Sequence, residues 1–206
     1  MESNGWMGGL YKICEWVTRL AYLNLLWMLF TFLGFIILGF GPATVAMFSI
    51  IRKWLMGERN LSIFSSFWLV YKKEFMKANF LWMSLVGIFI MLYIDWVLIN
   101  SMNGMLHHLF LGCFIIISVL LVVVLIYIFP VYVQFEGSIL HYYKSAFLLG
   151  ASFPIRTIII TITSGAGILL SLIFPGVGIL FLASGIGFVI MYISYTIFTT
   201  IDARAN

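Results

Sequence analysis

The sequence predicts an all-α fold, a polytopic membrane bundle of about five transmembrane helices plus amphipathic interfacial helices. Three observations predict it. Residues Leu20 to Gly41 run for 22 positions without a charge, and four comparable stretches follow. The chain is 64% hydrophobic and only 9% charged, far from the soluble average of about 25% charged. Runs such as Phe114 to Tyr127 do not alternate apolar with polar residues, which excludes the pattern of a membrane β-barrel. A hydrocarbon core about 30 Å thick needs roughly 20 apolar residues per crossing, so 206 residues hold one membrane domain of about five spans. The formal charge of +4 is too small and dispersed to indicate nucleic acid.

The spans fall near 20–40, 80–100, 108–129, 156–174 and 178–198. Ser101–His107, with Asn103-Gly104, and the Pro175-Gly176 break read as tight turns. Three longer connectors have helical apolar stripes. In 42–57 the stripe is Met47, Ile50, Ile51, Trp54 and Leu55, with Pro42 suited to the first turn and Gly57 to a C-terminal cap. In 61–79 it is Phe64, Phe67, Trp68, Tyr71 and Phe75, with Lys72, Lys73 and Lys77 off it. In 136–153 it is Leu140, Tyr143 and Phe147. Such stripes fit helices lying in the headgroup plane, and equally fit packing against the protein's own ends. Trp54, Phe64, Phe67, Trp68, Lys72, Lys73 and Lys77 form the candidate surface for a partner or for lipid. Pro130 is expected to kink or end the third span, and Pro154 to precede the fourth.

Orientation follows the eleven Lys and Arg residues. Nine of them lie between spans one and two, between three and four, or after five, which predicts that side to be cytoplasmic. With five crossings the N-terminus is then outside and the C-terminus inside. An alternative arrangement folds residues 20–51 into a re-entrant hairpin turning near Gly39–Pro42, which gathers Lys12 and Arg19 on the same side as the rest. Against it, Pro42 to Arg52 extends only about 14 Å as helix, short of a return crossing. The first apolar run is too long and starts too late for a cleavable signal, so it is expected to remain as an anchor.

Catalytic signatures are missing: there is no G-x-S-x-G, G-x-x-x-x-G-K-[ST] or H-E-x-x-H, and the chain is expected not to be an enzyme. No cofactor is expected, and His107, His108 and His141 lack metal-ligand spacing. Cys14 and Cys113 read as two unconnected thiols. Gly165, Gly167, Gly185 and Gly187 sit in apolar spans, where small residues let helices approach closely. Asp95 is the acidic residue inside a span. At mid-membrane an Asp costs about 2.5–3.5 kcal/mol, so it marks a candidate polar site that Asn24, Thr161 and Ser164 could share; snorkelling toward the near end is the structural alternative.

Gly41-Pro42-Ala43-Thr44, Arg52-Lys53-Trp54, Phe67-Trp68 and Tyr71-Lys72-Lys73-Glu74-Phe75 succeed one another in an order that resembles the YesL family, as do Phe129-Pro130, Phe135 and Lys144-Ser145-Ala146 through Pro154-Ile155-Arg156. The resemblance covers roughly residues 20 to 160. It implies a multi-pass protein of a bacterial plasma membrane with no assigned chemistry, often linked with carbohydrate utilisation and sugar-import systems; the charge concentrated in the cytoplasmic connectors adds the expectation of a partner such as a sugar-import permease. Two functions follow as expectations: a non-enzymatic accessory component of carbohydrate uptake, or a small solute transporter coupled through Asp95.

Overall fold

The computed structural model describes residues 6–58 and 60–205. It contains helices α1 (Trp6–Leu33), α2 (Ile37–Leu55), α3 (Ile63–Ser101), α4 (Met105–Gln134), α5 (Ile139–Ser152), α6 (Pro154–Ile173) and α7 (Pro175–Ala205), and no strand among the described residues. Five stretches are long and apolar enough to cross a bilayer: Gly9–Leu33, Ile63–Ser101, Met105–Gln134, Pro154–Ile173 and Pro175–Ile201. Helices satisfy their own backbone groups, which hydrocarbon cannot do. The protein is therefore an all-α polytopic membrane bundle.

The first apolar run does not continue to residue 40. It breaks at Gly34–Ile36, where Phe35 (φ 52°) and Ile36 (φ 65°) adopt left-handed backbone, and Ile36 N–H donates back to the Thr31 carbonyl at 2.9 Å. The chain then returns antiparallel to α1. Trp27 Nε1 donates to Thr44 Oγ1 at 3.1 Å, and farther down the hairpin Trp16 meets Trp54 edge-on at 5.7 Å. Gly39 makes the turn possible: a Cβ there would lie on the Thr31 carbonyl oxygen and 2.7 Å from that of Phe30.

Residues 42–57, expected in the headgroup plane, instead form most of α2 and are largely buried by protein. Ala43, Met47, Ile50, Ile51 and Trp54 all lie in the core, because α2 contacts α1, α3, α4 and α7. An apolar stripe looks the same whether lipid or protein covers it. Pro42 accordingly sits in the helix interior, past its first turn. With its turn at Gly34–Ile36, α2 has 19 residues and is about 28 Å long. Starting from Ile37, not Pro42, α2 is long enough for a return passage.

Residues 61–79 and 80–100, read as connector and span, are one uninterrupted helix. α3 has 39 residues and extends about 58 Å, nearly twice the hydrocarbon thickness. Its buried face, Phe67, Tyr71, Ala78, Leu81 and Leu85, keeps helical spacing through both parts. Gly104 (φ 77°) starts α4, which runs through Pro130 and on to Gln134. Ser138 caps α5, its Oγ accepting from the His141 N–H, and Pro154 opens α6. The core lies where α1, α2 and α7 meet the first part of α3 and the last part of α4. By contrast, Ile90, Met91, Ile94, Val97 and Ile115–Ile117, toward the α3–α4 turn, are exposed, as apolar residues are where lipid is their solvent.

Candidate functional site: a cationic cavity at the charged end

Four elements converge at one end of the bundle. The last turn of α2 carries Arg52 and Lys53, where basic side chains favourably meet free carbonyls and the negative end of the helix dipole. On α3, Lys73 and Glu74 precede Lys77 by four and three residues, so both neighbour it on the helix surface. Beyond Pro130, α4 ends on Tyr132 and Gln134, and the chain leading into α5 adds Glu136. Together they line a cavity of about 750 Å³, floored in part by Tyr142.

Polar contacts tie these elements together. Arg52 Nε donates to Gln134 Oε1 at 2.7 Å, joining α2 to α4. Tyr132 Oη donates to Glu74 Oε2 at 2.8 Å, joining α4 to α3. Tyr142 Oη accepts the Gly137 N–H at 3.0 Å and fixes the entry to α5. Lys77 Nζ lies 5.5 Å and 5.3 Å from the ring centres of Tyr132 and Tyr142, within reach of cation–π attraction. Four cations thus face two carboxylates. The ion pair found among the described residues is Arg19–Glu15, outside this cavity.

The residues singled out from the sequence divide. Lys73 and Lys77 line the cavity, and Lys72 is exposed beside them. Phe64 and Trp68 are 48% and 47% exposed and can meet a partner or lipid. Trp54 and Phe67 cannot, at 2% and 0%: both fill the core, and Phe67 packs on Phe30 with ring centres 5.1 Å apart. That part of the expected surface is corrected.

The polar set around Asp95 is dispersed. Asp95 is exposed and lines a groove of about 410 Å³ with α4 residues including Phe110, Cys113 and Phe114. Asn24 is buried between α1 and α7, where Nδ2 donates to the Ile179 carbonyl at 2.7 Å and Oδ1 accepts the Ser184 N–H at 2.9 Å. Thr161 is spent on its own helix, donating to the Thr157 carbonyl at 2.8 Å. Ser164 faces a groove between α6 and α7. Asn24 is thus an interhelical clamp, a role such amides commonly have in membrane bundles. Cys14 and Cys113 are both free and exposed.

Arg52, Glu74, Tyr132, Gln134 and Tyr142 were not signalled as a group. Their spacing in sequence is long, and one visible cue is that the long uncharged run of α4 gives way to Gln134 and, just past its end, Glu136.

A family model described as "Protein of unknown function, DUF624" matches residues 20–96. Three proteins of Bacillus subtilis (strain 168) are similar over nearly the whole chain. Uncharacterized protein YteU is 35% identical over 206 residues, all of this chain and 92% of that protein. Uncharacterized protein YesV is 33% identical over 195 residues, covering 95% of this chain and 94% of that protein. Uncharacterized protein YesL is 30% identical over 197 residues, covering 95% and 92%. No solved structure matches.

Proposed function

The chain belongs to the YesL-like family of proteins of unknown function, DUF624, and from that premise we propose that it is an accessory component of a bacterial plasma membrane, without catalytic chemistry of its own, whose charged end docks onto a permease for carbohydrate uptake. The observation that carries this reading is the first part of α3. Phe64 and Trp68 are half exposed beside Phe30, on a helix that also presents Lys72 and, farther along, the cavity residues Lys73 and Lys77. Exposed large aromatics are among the side chains enriched at the energetic centres of protein interfaces. The carbohydrate link rests on the family resemblance alone.

The α1–α2 hairpin supports a cytoplasmic N-terminus. Trp16 lies against Trp54, so the turns of α1 that carry Lys12 and Arg19 neighbour the end of α2 that carries Arg52 and Lys53. Counting α2 as a return passage makes the number of crossings even and brings both termini to the cytoplasmic side, as the positive-inside rule favours for all these basic groups.

The docking reading is tested by cross-linking and co-purification of a sugar-import permease with the tagged protein from cells grown on the sugar. Phe64→Glu with Trp68→Glu is expected to reduce recovery of the permease at least ten-fold while leaving membrane insertion unchanged. Equal recovery would refute the docking surface. Trp54 is no test, since replacing it disrupts the core.

The transporter alternative draws on the groove beside Asp95. That groove lies between α3 and α4 on the bundle's exposed side, and α3 is unbroken there, unlike the interrupted helices that commonly form carrier sites. Asp95→Asn is therefore expected to leave growth on the transported sugar and thermal stability unchanged. Loss of uptake by the reconstituted protein on that substitution would restore the transporter reading.

A further inference from the structure

We propose that the cavity between α2, α3, α4 and α5 is a binding site for a phosphate-bearing anion, presented by the headgroup of an anionic lipid or by a soluble phosphate compound. This inference does not depend on the partner reading. It starts from charge that the protein leaves unanswered. Arg52 and Lys53 are half-buried, Lys73 and Lys77 face the same space, and none of the four has a carboxylate within ion-pairing distance among the described residues. Holding Arg52 and Lys53 partly out of water without a paired carboxylate is costly, and the cost is recovered when an anion enters.

The remaining groups favour a phosphate. Glu74 and Glu136 also line the cavity, but four cations against two carboxylates leave it net positive, and Glu74 accepts the Tyr132 hydroxyl on the α4 wall. Arg52 uses Nε on Gln134, which fixes the guanidinium plane; its Nη groups have no protein acceptor among the described residues. A planar fork of free N–H donors matches two phosphate oxygens, and lysines add point charge around it. Ser49 supplies a hydroxyl on the same wall. A cavity of about 750 Å³ exceeds one phosphate and has room for the group that carries it. Its apolar members, Val45, Leu69 and Val133, suit a glycerol backbone arriving from the bilayer.

Binding is measured on the full-length protein in nanodiscs, first of phosphatidylcholine alone and then with increasing phosphatidylglycerol, reading thermal stability and native-mass lipid retention; inorganic phosphate and glycerol phosphate are titrated separately. Wild-type protein is expected to retain phosphatidylglycerol over phosphatidylcholine. Lys73→Gln with Lys77→Gln, both on the exposed face of α3, is expected to weaken retention by about five-fold or more per charge removed. Lys144→Gln, an exposed lysine outside the cavity, is expected to change nothing. Saturation by phosphate or glycerol phosphate that the double substitution abolishes supports the site with a soluble source. Retention that falls equally in Lys144→Gln, or no preference among any of these probes, overturns it.

Discussion

Gly39→Val is expected to abolish folded protein. An added Cβ meets the Thr31 carbonyl oxygen, the Phe30 carbonyl oxygen at 2.7 Å and Thr31 Cα at 2.8 Å, all backbone atoms of α1 that have no rotamer with which to yield. Overpacking against side chains usually costs about 1–3 kcal/mol because neighbours rearrange. Here the hairpin itself must open, and with it the packing of Met47, Ile51 and Trp54 in the core. The loss should therefore reach the ~4–5 kcal/mol that marks the extreme of single substitutions. Fluorescence-detected size exclusion after heating in detergent reads it as loss of the monodisperse peak. Gly87→Val provides the control: a Cβ at Gly87 meets nothing within 4 Å, although valine is a weaker helix former than alanine. A wild-type melting temperature for Gly39→Val would show that the close α1–α2 approach is not present in the folded protein.

In intact cells, Cys14 is expected to be untouched by a membrane-impermeant maleimide and to react fully once the membrane is permeabilised. The thiol is exposed on α1, half a turn from Trp16, whose ring rests on Trp54 at the base of α2. Cys113→Ser removes the other free thiol and leaves a single reporter. The outcome is nearly all-or-none, because moving a chain's basic flank across the bilayer reverses its whole orientation. Labelling in intact cells would put the first turns of α1 outside and reinstate the five-crossing arrangement. It would also separate Lys12 and Arg19 from the other basic residues.

The class of the fold was legible from runs of apolar residues, since length and lack of charge are all that a bilayer demands of a span. What remained hidden was the break at residue 34. Phe35 and Ile36 carry the left-handed backbone there, and neither residue type advertises it; a β-branched side chain at φ 65° is disfavoured in isolation and persists because the packing of both hairpin arms imposes it. Gly34, Gly39 and Gly41 were visible, yet glycines in an apolar run signal close packing without saying against what. The same ambiguity concealed the role of α2, whose stripe ending in Trp54 fits lipid or protein equally. At the candidate site, Lys73 and Lys77 were legible as helix neighbours. Their partners Arg52, Tyr132 and Gln134 were not, because α2 and α4 meet only in the tertiary fold.

α3 contains no proline, and no break interrupts it between Ile63 and Ser101. From Lys77, at the mouth of the cavity, to Ser101, at the opposite turn, it is a rod about 36 Å long. Because so few core contacts hold the outer part of this rod, any tilt at the cavity would be enlarged, by lever geometry alone, at the exposed tip of the α3–α4 hairpin.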